Sequence, residues 1–266
     1  MKKHSHQKKS QLLQPLQGAA VVITRPVGLN RAWAIKVHKL GGQAIQLPGM
    51  TLRPNVTTKF QFDRLCSSDI VLFTSPAAVR YAWRAWPQLN FSKTIKIYAV
   101  GMTTAAALKY RDIKNAQIPN EQQNSDGLLA LKDLRSIRGK KIAIASGEGG
   151  REQLQNELCR RGAKVEKIAV YRRSPARLGK PHYGLLTSLT KSDYIFFSST
   201  EAISNLHNNL AKEAWQRLRQ MKAIVSSARL AAILKKCGFV RIAIAPSANS
   251  HDMLKKLIEL HSRQTT

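Results

Sequence analysis

Residues 21–47 read VVITRPVGLNRAWAIKVHKLGGQAIQL, and the fold follows from this stretch. Val21-Val22-Ile23 is a β-branched run that predicts a strand. Thr24-Arg25-Pro26 ends it, because proline has no N–H to give a ladder. A helix is predicted from about Asn30 to Leu40, with Trp33, Val37 and Leu40 at i, i+4 and i+7. Gly41-Gly42 stops that helix. Ala44 to Leu47 is the next strand. Strand, turn, helix, glycine and strand make a βαβ unit, which implies a parallel sheet.

The same pattern returns further along. Ile142-Ala143-Ile144 precedes a Gly-rich turn, a helix carrying Leu154 and Leu158, Gly162, and a strand from Val165 to Val170. Ile23 maps to Ile144 and Gly41 to Gly162, both at an offset of 121. Residues 69–79, DIVLFTSPAAV, match residues 193–203, DYIFFSSTEAI, at an offset of 124. Tyr98-Ala99-Val100 before Thr103 to Leu108 matches Ala223-Ile224-Val225 before Ala228 to Leu234, at an offset of 125. Three elements in one order at nearly one offset indicate a duplication. The expected fold class is α/β, with two similar domains that are each a parallel sheet flanked by helices.

The chain has 266 residues, with 44 Lys+Arg against 15 Asp+Glu, a net charge of +29. The length allows one large domain or two smaller ones. With 43% hydrophobic residues in periodic segments, whole-chain disorder is excluded. The charge points to polyanions: nucleic acid, an anionic membrane, or a heavily carboxylated or phosphorylated small molecule. No run reaches the ~18 apolar residues of a membrane span. Met1 to Gly18 is lysine-rich with no apolar centre, so it reads as a solvated tail and not as a secretory signal. Cys66, Cys159 and Cys237 are odd in number and far apart, which suits a reducing cytoplasm. Cys159 and Cys237 fall in predicted helices and read as small core residues. There is no HExxH, no CxxC, no P-loop, no G-x-G-x-x-G and no G-x-S-x-G, so zinc, nucleotide and serine-hydrolase readings lack their motifs.

Open parallel sheets bind ligands at the carboxyl ends of their strands. Just past those ends stand Thr24, Arg25, Thr74, Ser75, Ser146, Gly147, Ser198, Ser199, Ser226 and Ser227. Hydroxyls and glycines offer hydrogen bonds and exposed backbone N–H groups, and suit anionic groups held at helix N-termini. The same Ser and Thr residues also read as caps of the following helices, and for Thr104 the cap is the stronger reading. Gly147, Gly149 and Gly150 read as an anion cradle or as a plain βα turn. Arg25 and Arg151 read as anion clamps or as solvated residues.

Several of these segments together resemble the uroporphyrinogen-III synthase family. They are Thr24-Arg25-Pro26, Phe73-Thr74-Ser75-Pro76, Ala99-Val100-Gly101 with Thr104-Ala105, Ser125-Asp126-Gly127-Leu128-Leu129, residues 147–152 (GEGGRE) and Val170-Tyr171-Arg172. The resemblance runs from about Val21 to Leu260. Two departures stand out: Ser146 stands where members often carry Arg, and residues 225–231 (VSSARLA) replace the commoner G-x-T-A form.

The resemblance implies two α/β domains joined by two extended connectors, here Leu47 to Pro54 and Ile168 to Pro175, with the active site in the cleft between them. Residues 1–18 are then the tail, 19–48 with 174–266 one discontinuous domain, and 49–173 the other. It implies cyclisation of hydroxymethylbilane, a linear tetrapyrrole with eight carboxylates, with loss of water and inversion of the last ring, and no metal or organic cofactor. Tyr171 is the candidate catalytic group, a phenol able to hydrogen-bond the departing hydroxyl; on the residues alone it also reads as an ordinary amphipathic residue at a domain joint. Arg25, Thr74, Ser75, Thr104, Gly147, Gly149, Gly150, Arg151, Ser198, Ser199, Ser226 and Ser227 are the candidate substrate contacts. A cytoplasmic monomer in functional contact with the enzyme that makes hydroxymethylbilane completes the expectation, with neither membrane nor nucleic acid as partner. Two other classes remain open on the residues alone. One is a two-domain small-anion binder without chemistry, because the strand ends lack strong acids and bases. The other is a basic nucleic-acid-binding α/β protein, which the charge favours and the 6% aromatic content does not.

Overall fold

A computed structural model describes residues 14–149 and 152–265. The chain divides into two compact units. Unit one holds the described residues up to Thr51 and those from Ser174 onward; unit two is Leu52–Arg173.

Unit one contains β1 (Ala20–Ile23), α1 (Arg31–Lys39), β2 (Gln43–Gln46) and most of its elements from the second half of the chain. Those are α7 (Lys180–Thr187), β8 (Tyr194–Phe197), α8 (Thr200–Asn209), α9 (Lys212–Gln220), β9 (Lys222–Val225), α10 (Ala228–Lys236), β10 (Ile242–Ile244) and α11 (Ser250–Thr265). Its sheet runs β10-β9-β8-β1-β2, all pairs parallel. Val22 faces one helical layer and Val21 and Ile23 the other, so the strand is buried on both sides. This is why it reads as an unbroken apolar run and does not alternate.

Unit two is built from α2 (Lys59–Cys66), β4 (Ile70–Phe73), α3 (Pro76–Ala85), β5 (Lys96–Ala99), α4 (Met102–Lys109), α5 (Ser125–Ala130), β6 (Lys141–Gly147) and α6 (Gln153–Arg160). The strands β3 (Met50–Pro54) and β7 (Lys164–Pro175) carry the chain through the two unit boundaries. The sheet order is β3-β7-β6-β4-β5, with β7, β6, β4 and β5 parallel. Val71 and Phe73 face one core, Ile70 and Leu72 the other.

The duplication is visible in the pairing. β9-β8-β1-β2 of unit one corresponds strand for strand to β5-β4-β6-β7 of unit two. Val21 pairs with Tyr194 as Ile142 pairs with Ile70, which preserves the offsets of 121 and 124. The third offset is corrected. Tyr194 pairs with Lys222 as Ile70 pairs with Lys96, so the structural offset is 126 and not 125. A slip of one residue would turn each side chain to the other face of the sheet. The corrected register also aligns the helix starts, with Gly101 the N-cap of α4 and Ser227 that of α10.

Three further expectations change. Within the segment read as solvated tail, Leu16 is fully buried among Ala19, Val37 and Tyr194, and its N–H donates to the Leu40 carbonyl, while Gln14, Gln17 and Gly18 are exposed. An apolar side chain inside a lysine-rich stretch found the core. Residues 1–13 of the predicted tail lie outside the described residues. The strand predicted to end at Val170 continues to Pro175. Ser174 precedes a proline and is held extended by it, and β3 hydrogen-bonds along β7, with the Asn55 N–H reaching the Val170 carbonyl. Cys159 is exposed on the last turn of α6, not in the core. Cys237 is half-buried at the end of α10, where burial pushes its thiol pKa up.

Candidate active site

The carboxyl ends of β4, β6 and β7 in unit two enclose a cavity of about 230 Å³. Thr74, Ser75, Gly147, Gly149 and Tyr171, all expected from the sequence, line it together. Each is placed by a local cause. Ser75 caps α3, accepting from the Ala78 N–H at 3.0 Å, with Pro76 pre-set at the first helical position. Thr74 donates its hydroxyl to the Ala145 carbonyl at 3.2 Å, tying the end of β4 to β6.

Tyr171 is aimed by an irregularity in the sheet. Ser146 pairs with Ala169, but Gly147 pairs with Tyr171, so the β6–β7 ladder skips Val170. Bulges of this kind re-aim a side chain. The phenol ring stacks on Tyr81, with centroids 5.5 Å apart and planes at 30°. Its hydroxyl lies 3.4 Å from the Ser75 hydroxyl. The residue is buried, with only 4% of its surface exposed.

Two cations of this pocket carry no signal in the sequence or read there as surface charge. Lys167, in the middle of β7, lines the cavity and donates to the Gly149 carbonyl at 2.8 Å. Arg173 lines it too, sits 5.7 Å over the Tyr171 ring, and donates to the Glu148 carbonyl. Together they hold the carbonyls of the Gly-rich turn. Ser125 and the buried Ser146 add hydroxyls to the lining. For Ser125 the only sequence signal is its place in a family-like motif. The pocket therefore combines hydroxyls, two cations and an apolar floor of Ile144 and Leu154.

The unit-one candidates sit at equivalent strand ends. Ser199 caps α8 and Ser227 caps α10, each accepting a backbone N–H at 3.4 Å. Ser198 and Ser226 are half-buried beside them. Arg25 is not a solvated turn residue. Its guanidinium lies 4.8 Å over the Trp33 ring, its Nε is buried without a partner among the described residues, and desolvation lowers its pKa. Thr104 is corrected from a cap to a core position. Gly101 takes the cap, and Thr104 is the third residue of α4, fully buried, outside the cavity lining. Its counterpart at the structural offset is the buried Leu230. Gly150 and Arg151 lie outside the described residues.

The chain is thus a duplicated α/β protein whose unit-two strand ends gather hydroxyls and two cations around one cavity. The family model described as Uroporphyrinogen-III synthase HemD matches residues 31–255. The chain belongs to the uroporphyrinogen-III synthase family, enzymes of tetrapyrrole biosynthesis. It is 26% identical over 251 residues to uroporphyrinogen-III synthase of Escherichia coli (strain K12), covering 90% of this chain and 99% of that one. With the Salmonella typhimurium enzyme the identity is 27% over the same length and coverage. Among solved structures, the Helicobacter pylori 26695 synthetase gives a TM-score of 0.61 at 15% identity, covering 91% of this chain and 99% of that one. A mutant synthase from the extremely thermophilic bacterium Thermus thermophilus gives 0.57 at 19%, covering 93% and 100%. At these identities the two structures support the fold alone.

Proposed function

We propose that this chain cyclises hydroxymethylbilane to uroporphyrinogen III and that the unit-two cavity holds the reacting part of the substrate. The observation that carries the reading is the Tyr171 hydroxyl beside that of Ser75, in a pocket that also holds Lys167 and Arg173. At about 230 Å³ the cavity is smaller than the ~300–1,000 Å³ of a drug-sized site. It suits one pyrrole ring with its two acid arms.

The bilane needs little activation. Loss of its terminal hydroxyl leaves a cation spread over a pyrrole, and unaided closure gives the symmetric isomer. The enzyme's work is to present the substituted carbon of the last ring first, giving a spiro intermediate that reopens and recloses inverted. Positioning of this kind supplies about 7–11 kcal/mol in well-oriented systems. Lys167 and Arg173 hold carboxylates through charge-assisted hydrogen bonds, while Thr74, Ser75, Ser125 and Ser146 orient the arms. Tyr171 hydrogen-bonds the departing hydroxyl as a weak general acid. The buried, stacked ring keeps that phenol in one place.

Arg25, Ser198, Ser199, Ser226 and Ser227 are proposed as further substrate contacts, supported by their strand-end positions and by the desolvated Nε of Arg25, which has no partner among the described residues. Gly150 and Arg151 stay in the proposal through the family likeness. Thr104, buried and outside the cavity lining, is not proposed as a substrate contact. The spontaneous closure of the bilane favours delivery by the enzyme that produces it. A cytoplasmic monomer fits the free cysteines and the family likeness.

The test is conversion of hydroxymethylbilane generated in situ, followed by oxidation and chromatographic separation of isomers. Type III product is expected. Symmetric product alone would refute the reading.

A further inference from the structure

In unit one an open groove of about 590 Å³ runs between α1 and α11; Leu40, Leu254 and Ile258 line it among polar residues, and most of its accessible surface is apolar. From α11 it takes His251, Leu254, Lys255, Ile258, Glu259 and Ser262, which stand at i, i+3, i+4, i+7, i+8 and i+11. That is one continuous helix face of three turns, about 16 Å at 1.5 Å per residue. Leu40 at the end of α1 faces it, and Lys36 and Lys39 join Lys255 on the rim. None of the three lysines has an acidic partner among the described residues. The single acid of the lining, Glu259, is already paired with Lys256 at 3.1 Å.

Charge selects the occupant. The chain's own residues 1–13 carry Lys2, Lys3, Lys8 and Lys9 and no acid, so they bring no carboxylate to the rim lysines. A second copy brings another +29. We propose that this groove docks an acidic amphipathic helix of a partner protein, with apolar side chains at i, i+3, i+4 and i+7 against Leu40, Leu254 and Ile258 and carboxylates against Lys36, Lys39 and Lys255. Helix-in-groove recognition has this pattern of anchors, and the complementary rim adds steering.

The test uses the full chain and a fluorescein-labelled 15-residue peptide with leucines at i, i+3, i+4 and i+7 and glutamate or alanine elsewhere. A control peptide has the same composition with its leucines spread around the helix. Fluorescence anisotropy should show the patterned peptide binding at least tenfold more tightly than the control. Ile258→Asp should remove that preference, and the double variant Lys39→Glu, Lys255→Glu, whose side chains are exposed, should weaken binding tenfold with unchanged cyclase activity. Equal binding of the two peptides overturns the proposal, because charge alone would then explain it. So does full binding by the double variant. Binding of dodecanoate that Ile258→Asp abolishes, without peptide binding, would assign the groove to a small amphiphile instead. Self-association that Ile258→Asp abolishes would assign it to a second copy. Either result contradicts the helix.

Discussion

A Cβ placed on Gly147 would stand 2.6 Å from Cζ of Tyr171 and 2.9 Å from its hydroxyl. The end of β6 lies against the phenol, and no larger residue fits without moving the ring. Tyr81 stacks on the ring as well, so its hydroxyl has little room other than toward Ser75. The glycine of the family-like GEGGRE segment is therefore explained by close approach to a side chain, and not by a turn: Gly147 is the last residue of a strand.

Tyr171→Phe keeps the stack on Tyr81 and loses the hydroxyl near Ser75. If positioning carries most of the catalysis, turnover falls about 10- to 100-fold, at or below the low end of general-acid effects. Steady-state rates with bilane generated in situ measure it. An unchanged rate would remove the phenol from the mechanism, and complete loss would mean that proton transfer carries more than positioning.

Lys167→Met and Arg173→Met each remove one cation from the cavity and free one carbonyl of the Gly-rich turn. A charge-assisted hydrogen bond contributes about 1.5–3 kcal/mol, so kcat/KM should fall roughly 10- to 100-fold per substitution. The loss should shrink as salt rises, because exposed charges are screened. Rates equal to wild type at low salt would place the substrate carboxylates elsewhere.

How much of this is legible in the sequence depends on what kind of rule governs each residue. β1, β4, β6, β8 and β9 are readable because strands buried on both faces are short apolar runs. The hydroxyls after them follow from the geometry of parallel sheets. The third repeat misaligns by one residue because its alanines and valines match at 125, whereas ladder pairing fixes 126. Lys167 and Arg173 are not legible: one is mid-strand and the other looks like surface charge, and only β7 lying beside the end of β6 brings them to the pocket. Thr104 looks like a cap because Thr near a helix start usually is one, yet the backbone turns at Gly101. Leu16 is hidden because the lysines at positions 2, 3, 8 and 9 set the reading of the whole segment up to Gly18.

Gly127 sits where a Cβ would meet the Gln122 carbonyl oxygen, a backbone atom that cannot step aside. Gly127→Ala must shift the loop before α5, with an overpacking cost of about 1–3 kcal/mol. The melting temperature should fall by several degrees, read by circular dichroism. An unchanged transition would show that the loop adapts freely.

Glu157 accepts from Arg160 and from Arg161, and these hydrogen bonds hold its pKa at about 2, below the ordinary 4.5. Arg161 also donates to the carbonyls of Leu129 and Leu134, so the carboxylate organises the packing of α6 on α5. Because the folded pKa is depressed, this contribution is present above about pH 4.5 and is lost as pH falls toward about 2. Thermal melts across that window should show Glu157→Gln with a weaker acid dependence than wild type. Parallel curves would assign the acid sensitivity to other carboxylates.

The isomer ratio produced by Gly147→Ala tests whether regiocontrol resides where Tyr171, Ser75 and the end of β6 meet. Gly147→Ala should stay folded, with a melting temperature lowered by several degrees because the buried, stacked ring has to shift. At an enzyme concentration where wild type yields type III, this variant should give mainly the symmetric isomer, because a displaced phenol ring no longer leaves the substrate room to sit. Undiminished type III formation by folded Gly147→Ala would contradict that location of regiocontrol.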